Sequence, residues 1–141
     1  MSLMTAIEVG ASGLTAQRRR LEVLVSNLVN ANTTKPAGAE PYRRKDVLFA
    51  ATNPERTFGA ALDDAVQGVE VAKIVTDQSE PRKEYEPNHE HADKDGYVLY
   101  PNVEPMEEMV NVLSATRSYE ANLQAVNAAK EMAKKTLEIL R

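Results

Sequence analysis

The chain has 141 residues, the length of one ordinary domain, and 27% of them are charged and 43% apolar. A net charge of -4 excludes a nucleic-acid binder working by bulk positive charge, and the lack of cysteine excludes disulfides and thiolate metal sites. No apolar run reaches the ~20 residues of a membrane-spanning helix, so no membrane insertion is expected.

The first element reads as a helix from Leu3 to about Ala31. Alternating steps of four and three give Leu3, Ile7, Gly10, Leu14, Gln17, Leu21, Leu24, Leu28 and Ala31. A sustained 3-4 repeat marks a helix that packs lengthwise against another helix. Gly10-Ala11-Ser12-Gly13 supports two readings. It is a break, with ordered helix starting near Ser12, or a small-residue patch where two backbones approach closely. Asn27, Asn30, Asn32, Thr33 and Thr34 compete for backbone hydrogen bonds and end the helix before Pro36 and Gly38.

The middle, residues 35–101, changes period. Tyr42–Phe49 reads as a strand, and Thr52–Gln67 as an irregular piece anchored by Phe58 and Leu62. Gly68–Thr76 alternates, with Val69, Val71 and Val75 on one face, interrupted by Lys73, and Glu70, Ala72 and Ile74 on the other. Arg82–Tyr85 and Gly96–Tyr100 are further short strands. Together they suggest one small antiparallel unit of three to five strands. The last element starts near Asn102, with Pro105 suited to a first helical turn and Glu107 and Glu108 placed where the helix dipole favours anions. The same stepping gives Met109, Val112, Thr116, Tyr119, Leu123, Val126, Lys130, Ala133, Leu137 and Leu140.

The expected fold is α+β. Residues 1–34 and 102–141 form terminal helices paired as an antiparallel coiled coil, and a small antiparallel β domain is inserted between them. Glu120, Glu131 and Glu138 are candidate partners for Arg18–Arg20. The short basic clusters Arg18–Arg20 and Arg43–Lys45 read as solvated or interface faces.

One cluster has a catalytic look: His89, His91, Asp93 and Asp95 alternate and offer nitrogen and carboxylate ligands. No further ligand group follows at a recognised spacing, and Asp95-Gly96 before an apolar strand is an ordinary turn signal. No catalytic residue, cofactor or metal site is assigned, and the chain does not read as an enzyme. The alternatives are a metal-binding module or metalloenzyme on that loop, and a cytosolic coiled-coil adaptor.

Ala11-Ser12-Gly13-Leu14, Ala16-Gln17-Arg18, Leu21-Glu22-Val23 and Ser26-Asn27-Leu28-Val29-Asn30-Ala31-Asn32-Thr33 resemble the N-terminal signature of the bacterial flagellar rod and hook family. Pro41–Phe49 is similar to the strand that follows it. Gly96-Tyr97-Val98, Pro101-Asn102-Val103, Glu107–Val110 and Arg117–Asn122 are similar to the C-terminal part of a proximal rod component. Val29 stands where that family commonly has Ala. The resemblance implies a non-enzymatic subunit of the periplasm-crossing rod, exported unfolded by the flagellar type III apparatus with no cleaved signal. Its partners would be copies of itself and neighbouring FlgB-, FlgF- and FlgG-type rod proteins. The N-terminus, without a basic segment and apolar core of the cleavable kind, accords with that route. Candidate assembly residues are Leu14, Leu21, Leu28, Leu123, Val126 and Leu137 for burial, and Asn27, Asn30, Asn32, Tyr119 and Asn122 for hydrogen bonds that fix register between subunits.

Overall fold

The computed structural model describes residues 3–36, 38–52 and 67–139. Its elements are α1 (Leu3–Asn30), β1 (Lys45–Thr52), β2 (Gly68–Thr76), β3 (Arg82–Tyr85), β4 (Tyr97–Tyr100) and α2 (Pro105–Ile139). The chain is α+β, with a long helix at each end and small antiparallel sheets between.

Helix α1 runs unbroken through Gly10–Gly13, so those glycines mark a close approach and not a break. A Cβ at Gly10 would lie 2.5 Å from Val126 Cγ2, and one at Gly13 would lie 2.9 Å from Asn122 Nδ2. At the other end Asn27 meets Glu108. As residue numbers rise along α1 the facing numbers fall along α2, so the helices lie antiparallel. In this register the last two turns or so of α2 project past Leu3. The end of α1 is closed by its polar run: Asn30 Nδ2 donates to the Ser26 carbonyl (2.8 Å) and Thr33 Oγ1 to the Asn30 carbonyl (2.8 Å).

Between the helices, the strands make two sheets and not one unit. β1 pairs with β2, and β3 with β4, both antiparallel. The break falls after β2, where Asp77 N–H returns to the Arg44 carbonyl (2.8 Å) and Pro81 has no N–H to extend a ladder. β1 starts at Lys45, three residues later than expected, because Tyr42 and Arg44 are engaged elsewhere. The irregular piece expected around Phe58 and Leu62 lies outside the described residues.

The β1–β2 ladder slips once. Leu48 faces Lys73 and Phe49 faces Val71, leaving Ala72 as an extra residue in β2. A bulge of this kind reverses the parity of the strand beyond it. Strict alternation would put Ile74 on the face opposite Val69 and Val71. The bulge instead brings Ile74 and Thr76 to the side of Val69 and Val71, facing α1, and Lys73 no longer interrupts that face. Opposite them Val47 is buried. The hairpin lies along α1, where Ser12 Oγ accepts the Val69 N–H (3.0 Å).

Candidate assembly surface

Helix α1 presents three faces, each one residue further round. Its contact with α2 is made by Gly10, Gly13, Gln17, Leu24, Asn27 and Ala31. One residue earlier, Ser12, Ala16, Arg19, Val23 and Ser26 border the β1–β2 hairpin. One residue later come Leu14, Leu21 and Leu28, which are half-buried. On α2 the inward set is Glu108, Ala115, Asn122, Val126 and Ala129, with half-buried Val112, Tyr119 and Ala133 between them. Again the residues one later lie outside: Met109, Leu123 and, further along, Leu137 are exposed.

Each step of one residue turns about 100° round a helix. Because the helices are antiparallel, the same step on each carries Leu14, Leu21 and Leu28 and Met109 and Leu123 to one common side of the pair. The hairpin occupies the other side. The open flank is widened at the sheet end by Val25, Val29, Met106, Val110 and Leu113, all exposed. Val29 is 71% exposed and adds apolar surface there. Leu137 sits on the projecting end of α2.

Of the expected seam positions, Gly10 and Val126 meet across the helix pair; Gly13 and Asn122, and Asn27 and Glu108, meet at positions that the expected seams leave out. The closed seam mixes small and polar residues with Leu24 and Val126, and Gln17 Oε1 is buried without a hydrogen-bond partner.

The sheet end of this seam holds a buried polar cluster. Asn27 and Glu108 are fully buried. Asn27 Nδ2 donates to the Lys45 carbonyl (2.7 Å) and to Glu108 Oε2 (3.0 Å). Asn27 Oδ1 accepts from Tyr42 Oη (2.8 Å) and the Lys45 N–H (3.0 Å). All four hydrogen-bonding positions of an asparagine amide are thus filled inside one chain. Arg44 Nε donates to Glu108 Oε1 at 2.6 Å, and Arg44 Nη1 lies 3.5 Å from Asp46 Oδ2. Burial opposes the Arg44 charge, but the hydrogen bond and negative charge of Glu108 outweigh it, and the guanidinium pKa is raised. The Arg44 N–H reaches Asn102 Oδ1 (2.8 Å), and Asn102 Nδ2 reaches Ser79 Oγ (2.7 Å). The cluster ties the end of α1, the entry to β1 and the start of α2 together.

The expected polar assembly residues therefore divide. Asn27 is committed within the chain and is removed from the set available to a neighbour. Asn30 closes its own helix. Among the described residues the side chains of Asn32, Tyr119 and Asn122 make no hydrogen bond within the chain. Arg18 and Arg19 pair with Glu22 on their own helix, at 3.8 and 2.8 Å, and not with Glu120, Glu131 or Glu138. Sequence reasoning missed Arg44 and Glu108, taken for a solvated basic cluster and a helix-dipole anion. The available signal was Asn27 itself, a polar residue between apolar seam positions with a full set of hydrogen bonds to place.

The histidine loop has structural occupations. His91 Nδ1 lies 2.8 Å from Thr34 Oγ1, and His89 Nδ1 accepts the His91 N–H (3.0 Å). Asp93 Oδ1 accepts the N–H groups of Asp95 and Tyr97, both at 2.9 Å, and shapes the turn into β4 in which Gly96 has a φ of 82°. Among the described residues no group of three or more His, Asp or Glu is arranged to hold a metal ion. A cleft of about 590 Å³ beside the loop is lined by Lys35, Lys83, His91, Asp93, Asp95 and Tyr97 among others. It mixes both charge signs.

Two family models match the helical ends. Residues 7–36 match one described as "Flagella basal body rod protein", and residues 94–139 match "Flagellar basal body rod FlgEFG protein C-terminal". Over nearly its whole length the chain is similar to proteins named flagellar basal-body rod protein FlgC. It is 43% identical to that of Bacillus subtilis (strain 168) over 150 residues, covering 99% of each chain. It is 40% identical to that of Salmonella typhimurium over 139 residues, covering 99% of this chain and 98% of the relative. With that of Borreliella burgdorferi it shares 40% over 151 residues, covering 100% and 99%. On this full-length similarity, the chain belongs to the family of the flagellar basal-body rod protein FlgC.

Proposed function

We propose that the chain enters the flagellar rod through the open flank of its helix pair, which packs against terminal helices of neighbouring subunits. Membership of the family makes it a structural subunit of the basal-body rod. The observation that supports the mechanism is the set of exposed apolar side chains on the helix pair: Val25 and Val29 on α1 and Met109, Leu113 and Leu123 on α2, with half-buried Leu14, Leu21 and Leu28 beside them. Apolar area removed from water contributes about 25 cal/mol per Å². A flank this long supplies strong lengthwise association when a second helix pair covers it.

In this reading the helices form a coiled coil shared among subunits, with residues 1–34 and 102–141 in the tube wall and residues 35–101 outside it. The neighbours are copies of itself and FlgB-, FlgF- and FlgG-type rod proteins. Many parallel contacts along stiff helices resist torsion, as a drive shaft crossing the periplasm requires. Asn32, exposed and uncommitted within the chain, supplies hydrogen bonds across subunits, whereas Tyr119 and Asn122 face α1. Delivery is by the flagellar export apparatus in an unfolded state, and no catalytic step is involved.

The test places Asp at Leu21 and Leu123 together. Leu123 is exposed and Leu21 half-buried, and the helical circular dichroism of the purified protein, which stays close to wild type, checks that the variant still folds. Motility and recovery of intact rods fall to background. Swarming at the wild-type rate from a strain carrying only the double variant would remove the flank as the assembling surface.

A further inference from the structure

The helices of this chain carry two overlapping seams, and the one that closes is the less apolar. Within the chain α1 offers Gly10, Gly13, Gln17, Leu24, Asn27 and Ala31, and α2 offers Glu108, Ala115, Asn122, Val126 and Ala129. Turned by one residue, the same helices would offer Leu14, Leu21, Val25 and Leu28 against Met109, Leu113 and Leu123, with Arg18, Glu120 and Lys130 at the positions between them. By burial of apolar area alone the rotated pairing is preferred. Something other than apolar burial selects the observed one.

We infer that the Asn27–Glu108–Arg44 cluster is the selector: it fixes the rotation of α1 against α2 and so keeps the leucine face out of the intrachain seam. These are positioning residues for the assembling surface. In the observed rotation Asn27 meets the Lys45 backbone, Tyr42 and Glu108, and Glu108 meets Arg44. Turning either helix by one residue swings Asn27 or Glu108 about 100° away and leaves Arg44, Glu108 and the Lys45 backbone groups buried without partners. A buried polar group satisfied by one arrangement alone discriminates between packings even where it adds little net stability. Gly10 and Gly13 act with the cluster, since only their lack of Cβ lets Val126 and Asn122 sit where they do.

The inference rests on the assembly reading for its purpose, but the rotation itself is measurable in the isolated chain. The protein has no cysteine, so paired cysteines report rotation directly. Gly13→Cys with Asn122→Cys samples the observed seam; Leu14→Cys with Leu123→Cys samples the rotated one. Disulfides form readily only between Cβ atoms about 3.5–4.5 Å apart. At low protein concentration, intrachain crosslinking is read by gel mobility in two backgrounds. In the wild-type background the first pair crosslinks and the second is at least tenfold slower. In the apolar background Asn27→Leu, Arg44→Met, Glu108→Leu, the order of the two pairs reverses while the helical signal is kept.

If the apolar background still favours the first pair, the cluster does not select the rotation. Loss of both crosslinks overturns the inference equally, because it requires a closed helix pair once the polar groups are gone. In the otherwise wild-type chain, Arg44→Lys keeps a charge for Glu108 and keeps the wild-type order; a reversed order there also counts against selection by the cluster. An unaffected double Asp variant of the flank would sink the assembly reading and leave the crosslink result untouched, so the two failures are distinguishable.

Discussion

The two ends of the helix pair are held by different physics. At the sheet end, directional bonds converge on Asn27, Glu108 and Arg44, and the helices are fixed in rotation as well as distance. At the far end, where Gly10 meets Val126 and Gly13 meets Asn122, contact is by shape: absent side chains set the spacing, and nothing directional opposes rotation. A shape contact tolerates small adjustment, whereas a buried charge with one partner does not. The difference predicts where the chain is brittle and where it yields.

The largest effect is expected at the sheet end. Glu108→Ala leaves the Arg44 guanidinium and the Asn27 amide without their buried partner. Breaking a buried pair from one side costs about 3–5 kcal/mol. Urea denaturation of the purified variant measures it as a lower midpoint at unchanged slope. A loss below about 1 kcal/mol would put the cluster in the class of exposed pairs. Tyr42→Phe deletes one donor to Asn27 Oδ1 and costs about 1 kcal/mol in the same assay.

At the shape-held end the expected losses are smaller and ordered. Gly10→Ala gains about 1 kcal/mol of helix propensity but pushes a methyl to 2.5 Å from Val126 Cγ2. Valine is branched and stiff, so it cannot fold away, and overpacking of this kind costs about 1–3 kcal/mol. The net is a destabilisation of up to ~2 kcal/mol. Gly13→Ala meets the end of the Asn122 amide, which can swing aside, so the propensity gain survives and the net is near zero. Equal losses at the two glycines would show that α2 approaches α1 uniformly, against the graded contact described above.

Much of this was legible in the sequence, and the misses share a cause. The β2 limits are legible because Val, Ile and Thr between turn formers signal a strand directly, and the β3 limits because turn formers stand on either side of it. The helices and their glycine patch were found from period and breakers. In the expected seams Leu14 and Leu123 stand one residue beyond Gly13 and Asn122, which make the close approach, because stepping through apolar residues passes over glycine and asparagine. The bulge at Ala72 left no mark of its own: Ala fits a strand interior as well as a bulge, and only the partner strand reveals the extra residue. Arg44 and Glu108 are 64 positions apart, a pairing that local patterning cannot reach.

The smallest predicted effect lies one shell beyond the cluster and tests how far its rigidity extends. Asp77 Oδ1 accepts the Ser79 N–H at 2.8 Å, Ser79 Oγ accepts from Asn102, and Asn102 accepts the Arg44 N–H. The Ser79 backbone bond first, then its side chain, hold the Asp77 carboxyl below its ordinary value of 3.8. A carboxylate whose folded pKa is lowered stabilises the fold above its unfolded pKa, and that contribution is lost as pH falls through the folded value. The wild-type urea midpoint therefore exceeds that of Asp77→Asn by a small margin at about pH 6, and the margin closes as pH drops below about 4. The group is near the surface, so added salt shrinks the margin too. Were the two midpoints separated by the same margin at every pH, the Asp77 charge would have no part in holding the Ser79–Asn102 link, and the rigid region would end at Arg44.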